Sequence, residues 1–312
     1  MDIRLWKPGD EAAILGLFNE VFGRSMSPEF WRWRFQNNPN GGPHIALAWD
    51  GERLAAHYAV TPAPIVVDGQ TIPAALSTTT MTHADYRGQR LLEKVGGALY
   101  EELKSEGVVA VWGFPNAQAH LPRLQRLAWF DVCDVPVMSC LLDGTRRHKA
   151  HESSLESVDE TDNRFAAIWQ DAECSTAIHP SRSLNLMRWR LDQNPKNKYF
   201  RYIQGDEQSL SAYLIYKKYF ETEVDIVDFH ARDPDCGKSL LQGVLSILTA
   251  QSVKKVNAWC LPHDPHRRTF ERLGFCADAP VTYFGGRQLL PIGKEFSDPR
   301  GWRLSMMDSD IY

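Results

Sequence analysis

The sequence is poor in the features that mark several large protein classes. No apolar stretch approaches the roughly 18 residues a membrane-spanning helix needs, so no membrane partner is expected. Charge of one sign is not in excess. The 35 Lys and Arg stand against 39 Asp and Glu, a net charge of −4, with a pI near 6.2. That balance supplies no broad basic face, so no nucleic-acid partner is expected either. The six cysteines (133, 140, 174, 236, 260, 276) form no Cys-x-x-Cys pair. They spell out neither a zinc site nor a redox motif, and no metal is expected. The opening residues MDIRLWKPGDEAA place charges where an export signal needs an apolar run. The expectation is a soluble, cytoplasmic chain with reduced thiols.

What is present is globular: 312 residues, 43% hydrophobic and 24% charged, enough chain for two ordinary cores. The chain also repeats itself. WRWRFQNNP (31–39) returns as MRWRLDQNP (187–195), a shift of 156 from Trp33 to Trp189. HADYRGQRLL (83–92) returns as HARDPDCGKSLL (230–241), and RLAW (126–129) as RLGF (272–275). Pairs in the same order at nearly constant shift point to a duplicated domain of roughly 150 residues.

Periodicity supports the same division. The spacing predicts helices over 9–22, 88–106 and 119–128, and a helix from Pro28 with Ser27 as N-cap. Strands are expected at 3–6, 44–49, 53–60, 65–67, 71–82, 108–114 and 135–142. After the polar stretch 143–162, read as a linker, the order recurs. Helices are expected at 184–192, 237–250 and 265–273. Strands are expected at 199–204, 209–217, 223–231, 253–260, near 281–284 and at 302–306. Asp308 and Asp310 read as solvated acids. The Trp-Arg elements read as helices that pack aromatics inward.

The segment TTTMTHADYRGQRLLEKVGGALYEEL (78–103) carries the chemistry. A strand ends at Thr82, a short turn follows, and Arg87-Gly88-Gln89-Arg90 opens a helix. Exposed amides at a helix start bind phosphate. This layout resembles the pyrophosphate loop of the GNAT superfamily of N-acetyltransferases, Arg/Gln-x-x-Gly-x-Gly/Ala following a strand. Arg87 matches the first position. Arg90 stands where the family has Gly, and Leu92 where it has Gly or Ala. The apolar strand VVAVWGFPN (108–116) and the helix ending RLAW extend the likeness over most of 1–142, and more faintly over 180–290.

The resemblance implies an α/β fold of two tandem GNAT-like lobes, each a mixed, mostly antiparallel sheet flanked by helices. Residues 1–142 would be the acyl-CoA-binding domain, 143–162 the linker, and 163–312 a degenerate second domain. It implies acetyl-CoA as donor and a small-molecule amine as acceptor, with direct attack in a ternary complex. The amides of Gly88, Gln89, Arg90, Leu91 and Leu92, with Arg87, would hold the pyrophosphate. The backbone of Thr80, Met81 and Thr82 would bond the pantetheine arm, and Asn116 would contact the cofactor. A Tyr acid is common in the family where Leu124 and Phe270 stand here. His57, Tyr58 and His120 are the candidates for proton transfer. Some polysaccharide-associated acetyltransferases have a similar Trp-Arg-Phe-x-x-Asn-Pro helix, which adds an amino sugar to the candidate acceptors. Two rivals stand beside this reading. One is a non-catalytic acyl-CoA sensor or scaffold. The other is a tandem-fold aminoacyl transferase of cell-wall synthesis, which the acidic balance disfavours. Oligomeric state is not legible.

Overall fold

The computed structural model describes residues 1–142, 155–170 and 178–311, so 143–154 of the expected linker lie outside the described residues, as does Cys174. Among the described residues no two cysteines are joined in a disulfide. Among the described residues no helix is long and apolar enough to cross a membrane.

In chain order the first elements are β1 (Asp2–Leu5), α1 (Glu11–Phe22), α2 (Pro28–Phe35), β2 (His44–Asp50) and β3 (Arg53–Pro62). Then come β4 (Ile65–Val67), β5 (Gln70–Ile72), β6 (Ala74–Thr82), α3 (Leu91–Ser105), β7 (Ala110–Gly113), α4 (Ala117–Leu127) and β8 (Phe130–Leu141). They are followed by β9 (Glu156–Val158), α5 (Asn163–Ala167), β10 (His179–Pro180), α6 (Leu184–Leu191), β11 (Phe200–Gly205) and β12 (Leu210–Phe220). The last are β13 (Glu223–Ala231), α7 (Pro234–Ala250), β14 (Lys255–Trp259), α8 (Arg267–Arg272) and β15 (Cys276–Gln288). Local signals set many of these ends. Ser27 accepts a hydrogen bond from the Phe30 amide and Pro28 opens α2, as expected of an N-cap followed by a first-turn proline.

These elements form two compact units, and neither is contiguous in sequence. The first is Met1–Ile65, Thr71–Cys133 and Tyr283–Pro299; the second is Val66–Gln70, Asp134–Thr282 and Arg300–Tyr312. The first unit's sheet runs β1-β2-β3-β6-β7 and is completed by the end of β15, where Gly285–Gln288 pair antiparallel with Ala110–Gly113. The second runs β8-β14-β13-β12-β11-β9, with Val137–Leu141 of β8 antiparallel to β14. Each unit thus takes one strand from the other half of the sequence. A cut at residue 142 does not describe this division, because strand periodicity shows that a segment is extended but not which distant strand it pairs with.

In each unit one step between adjacent strands of this sheet is parallel, beside antiparallel neighbours. In the first unit that step is β6–β7; in the second it is β13–β14. In the first unit α1 and α2 cover one sheet face with Ile14, Leu17, Phe18, Trp31 and Phe35. Helix α3 covers the other with Leu91, Val95, Leu99 and Leu103. Burying each such side chain is worth about 1.5–3 kcal/mol. Gly96 lets α4 close on α3, since a Cβ there would lie 2.4 Å from Leu127 Cδ2. In the second unit α7 packs Leu240, Leu241, Val244 and Leu245 onto its sheet.

Two expectations near the ends of segments are corrected. Residues 156–158, read as linker, form β9 and pair with β11 through Arg201–Val158. Residues 302–306, read as a strand, are not one. Met306–Asp308 form a 3-10 turn closed by a capping box between Ser305 and Asp308. Asp308 is buried rather than solvated, because Arg182 reaches it with a 2.7 Å contact.

Candidate active site

The site of interest begins where β6 and β7 separate. Their parallel register runs Ala74–Ala110, Ala75–Val111 and Leu76–Trp112 and then stops. Strand β6 continues to Thr82, held on its other side by β3. The backbone of 77–82 is therefore left without a ladder partner toward β7, and the two strands open into a V. At its apex the backbones still touch, since a Cβ on Gly113 would sit 3.2 Å from the Ser77 carbonyl oxygen.

Past Thr82 the chain turns and starts α3. Residues 87–90 are exposed, Leu91 is buried in the core beneath the helix, and Leu92 is half-buried. Gly88 has φ +82 and nothing near the place of a Cβ. Arg90 has φ +57 and gives α3 no side-chain cap. The first-turn amides of α3 thus point outward without a capping oxygen, the arrangement that favours an anion. The position where the resembled family carries Gly keeps the left-handed backbone, at a cost of about 1–2 kcal/mol for a residue with a Cβ. The Arg90 guanidinium turns back onto Glu93, donating at 2.8 and 2.9 Å.

Inside the V a chain of hydrogen bonds runs under α3. Trp129 Nε1 donates to the Tyr100 hydroxyl at 2.7 Å. The Tyr100 and Tyr58 hydroxyls are 3.0 Å apart, and Tyr58 meets Ser77 Oγ at 3.0 Å. Indole can only donate, so Tyr100 accepts from Trp129, while in each of the two hydroxyl pairs either oxygen can be the donor. Burial, then the neighbouring Tyr58, push the Tyr100 hydroxyl well above its ordinary pKa, so it stays neutral. Arg287 lies 4.9 Å above the Tyr100 ring and donates to the Leu127 carbonyl at 3.0 Å. Arg123, from α4, is 4% exposed. It lies 4.8 Å from the Trp129 ring, and one terminal nitrogen donates to Thr80 Oγ1 at 3.2 Å.

The proton-transfer candidates fall in three places. Tyr58 belongs to the buried chain just described. His57, its neighbour on β3, points to the opposite face, in register with Leu47 and Met81. Both ring nitrogens of His57 are buried without a well-formed hydrogen bond. Burial pulls its pKa down to about 4, partly opposed by the nearby Thr79 backbone, so the ring is neutral at pH 7. His120 stacks on Tyr283 at 4.0 Å and meets Asp131 Oδ1 at 2.7 Å. Asn116 caps α4, accepting from the Ala119 amide at 2.9 Å. Thr80 and Thr82 are half-buried, while the Met81 side chain joins the core on the His57 side. Tyr100, Ser77, Trp129, Arg123 and Arg287 were not legible as site residues.

The Trp-Arg elements are structural in both halves. Asn38 donates to the Pro62 carbonyl at 3.0 Å and accepts from the Asn40 amide at 2.9 Å. Asn194 accepts from the amides of Lys196 and Asn197, and Arg190 donates to the Ser309 carbonyl. At the far end of α3, His44 Nδ1 lies 3.9 Å from Glu102 and 3.7 Å from Glu106. This is the one metal-capable group found among the described residues. Burial, then the charge of Glu106, push Glu102 up to about 7.

The second unit has a matching V. The β13–β14 register stops at Ile226–Ala258, while β13 continues to Ala231. Here the opening holds Asp228, whose two oxygens accept from Arg182 at 3.1 and 3.2 Å. Arg182 also donates to Asp308 at 2.7 Å and to Ser305 Oγ at 3.0 Å. Tyr213 donates to Asp228 at 2.6 Å and accepts from Trp169 at 2.7 Å. Helix α7 is capped by its own carboxylate: Asp233 accepts from the amides of Asp235 and Cys236 at 2.9 and 2.8 Å.

Residues 2–129 match the family model of the acetyltransferase (GNAT) domain. The fold resembles that of a probable N-acyltransferase of unknown function from Enterococcus faecalis, with TM-score 0.70 and 13% identity over 93% of this chain and 73% of that one. It also resembles GCN5-related N-acetyltransferases from Kribbella flavida (TM-score 0.71, 15% identity, 92% and 72% covered) and Anabaena variabilis (TM-score 0.70, 14% identity, 92% and 73% covered). No curated protein sequence matches the chain. The V between β6 and β7, the uncapped start of α3 and the match of residues 2–129 to the acetyltransferase (GNAT) domain model coincide on one stretch.

Proposed function

We propose that the first unit transfers an acetyl group from acetyl-CoA to a small amine by direct attack in a ternary complex. The observation that carries this is the adjacency of two unsatisfied backbone edges: the partnerless side of 77–82 and the uncapped first turn of α3. The first suits an extended arm with amide groups, and the second a pyrophosphate. The residues present fit an acyl-CoA, which would supply an activated thioester. The Gly88–Leu92 amides bind its phosphates, with the exposed Arg87 adding charge. The Thr80–Thr82 backbone aligns the arm and polarises the carbonyl. Asn116, the N-cap of α4, would contact the cofactor. His120, the candidate whose ring is not fully buried and whose Nε2 meets Asp131, would accept the amine proton. An amino sugar is one acceptor to try. The second unit takes no cofactor in this reading; it supports the fold.

A second reading, a non-catalytic acyl-CoA binder, draws on the placement of His57 and Tyr58. Both are fully buried, and Tyr58 is committed to Ser77 and Tyr100.

Calorimetry of acetyl-CoA with wild type and Gly88→Pro tests the reading. Proline cannot adopt φ +82 and removes an amide from the cradle. Micromolar binding by wild type and none by the variant, with unchanged circular dichroism, is expected. Absence of wild-type binding at millimolar cofactor rejects the reading. Release of free CoA on adding an amine panel separates enzyme from binder.

A further inference from the structure

Arg123 is a buried cation without an anion. It is 4% exposed, and its Nε has no hydrogen-bond partner. Its polar contacts are the neutral hydroxyl of Thr80 and the face of Trp129. No carboxylate among the described residues forms an ion pair with it, although Arg182 in the second unit has two. Taking a guanidinium out of water is costly unless a negative charge meets it. The chain therefore keeps an expensive charge directly beneath Thr80, the residue whose backbone the proposed reaction uses to polarise the thioester.

We propose that Arg123 is the catalytic residue that stabilises the leaving thiolate, in place of the tyrosine acid whose usual position is taken by Leu124. This rests on the acetyltransferase reading above. The amine nitrogen's lone pair forms the C–N bond to the acyl carbon. The C–S bond breaks with its electron pair on sulfur, and the amine proton leaves to a base or water. Sulfur departs as an anion, and Arg123 offers that anion a fixed positive charge with an unused N–H. Arginine cannot itself protonate sulfur near neutral pH, so its contribution is electrostatic and is present only as charge develops.

The test needs no acceptor. Binding of CoA and of desulfo-CoA, which lacks the sulfur, is measured from about pH 6 to about pH 9 for wild type, Arg123→Gln and Arg123→Lys. A free thiol titrates near pH 8.5, and each unit by which binding lowers that value is a tenfold preference for thiolate. The expected result is that wild-type CoA affinity rises with pH and exceeds desulfo-CoA affinity by about tenfold or more at the alkaline end. Arg123→Gln should bind both alike at every pH with desulfo-CoA affinity unchanged, which also shows that it folds. Arg123→Lys should recover part of the difference. Equal binding of the two nucleotides by wild type throughout overturns the role of Arg123 and leaves the cofactor reading standing. Loss of desulfo-CoA affinity in Arg123→Gln overturns it as well, making Arg123 a ground-state contact. Failure of wild type to bind either nucleotide removes both proposals together.

Discussion

Beyond Leu76 and Trp112 the edge of β6 has no ladder partner, and beyond Ile226 and Ala258 the same is true of β13. In each unit a tyrosine from the neighbouring strand reaches that edge: Tyr58 to Ser77, and Tyr213 to Asp228. A tryptophan donates into each arrangement. The charges then differ. At the V of the second unit the charges are matched internally: Arg182 by Asp228 and Asp308, and the start of α7 is capped by Asp233. Burial works against the charge on Arg182, yet those acids hold its pKa well above the ordinary value. The first unit leaves Arg123 unmatched and the start of α3 uncapped. The two units thus differ in whether the chain answers the polar groups at its V. The first unit is the one that leaves a buried cation and a helix start for an anionic ligand to answer.

This contrast can be broken from either side. The largest expected effect is in the second unit. Asp308→Ala leaves Arg182 with half its counter-charge in a buried site, and urea unfolding should show a loss of about 3–5 kcal/mol. The corresponding change in the first unit should behave oppositely. Arg123→Met removes an unmatched charge, so the same assay should show between no loss and about 1 kcal/mol of added stability. A loss as large as that of Asp308→Ala would show that Arg123 has an internal counter-charge and would sink the comparison.

A third prediction concerns pH. Glu102 has a folded-state pKa raised from 4.5 to about 7. A raised carboxyl favours the folded state while protonated, so its contribution is full below about pH 4.5 and is lost as pH rises through about 7. Glu102→Gln should therefore unfold at higher urea than wild type above pH 7. After allowing for solvent screening the gain is about 1–2 kcal/mol, fading toward acid pH. An unchanged difference across that range would show that Glu102 titrates normally. The smallest effect is at Arg90. Its φ of +57 suits glycine, and its exposed pair with Glu93 is worth little. Arg90→Gly should gain about 0.5–1 kcal/mol in thermal or urea unfolding. Any gain in acetyl-CoA affinity in that variant would identify the Arg90 side chain as an obstruction at the cradle.

Much of the architecture was readable because its causes are local. Ser27-Pro28 announced α2, alternation announced β3 and β13, and apolar spacing announced α3 and α7. The strand–turn–helix around Arg87–Leu92 was readable for the same reason: glycine and a strand end are visible in a short window. The opposite facing of His57 and Tyr58 followed from the period of a strand. What could not be read was pairing across long distances. Arg123 and Thr80, Tyr58 and Tyr100, and Arg182 and Asp308 are separated by many residues with no pattern linking them. Asp308 looked solvated because nothing near it in sequence is its partner.

The sequence by itself determined most helices and strands and the location of the anion-friendly helix start, because capping, periodicity and glycine conformations act within a few residues. Only the tertiary structure decided that the end of β15 completes the first unit and the end of β8 the second. It alone decided that one V is sealed by an internal ion pair while the other keeps a lone buried guanidinium. Those outcomes depend on which distant groups meet out of water, where an unmatched charge or an unpaired strand edge carries a high cost.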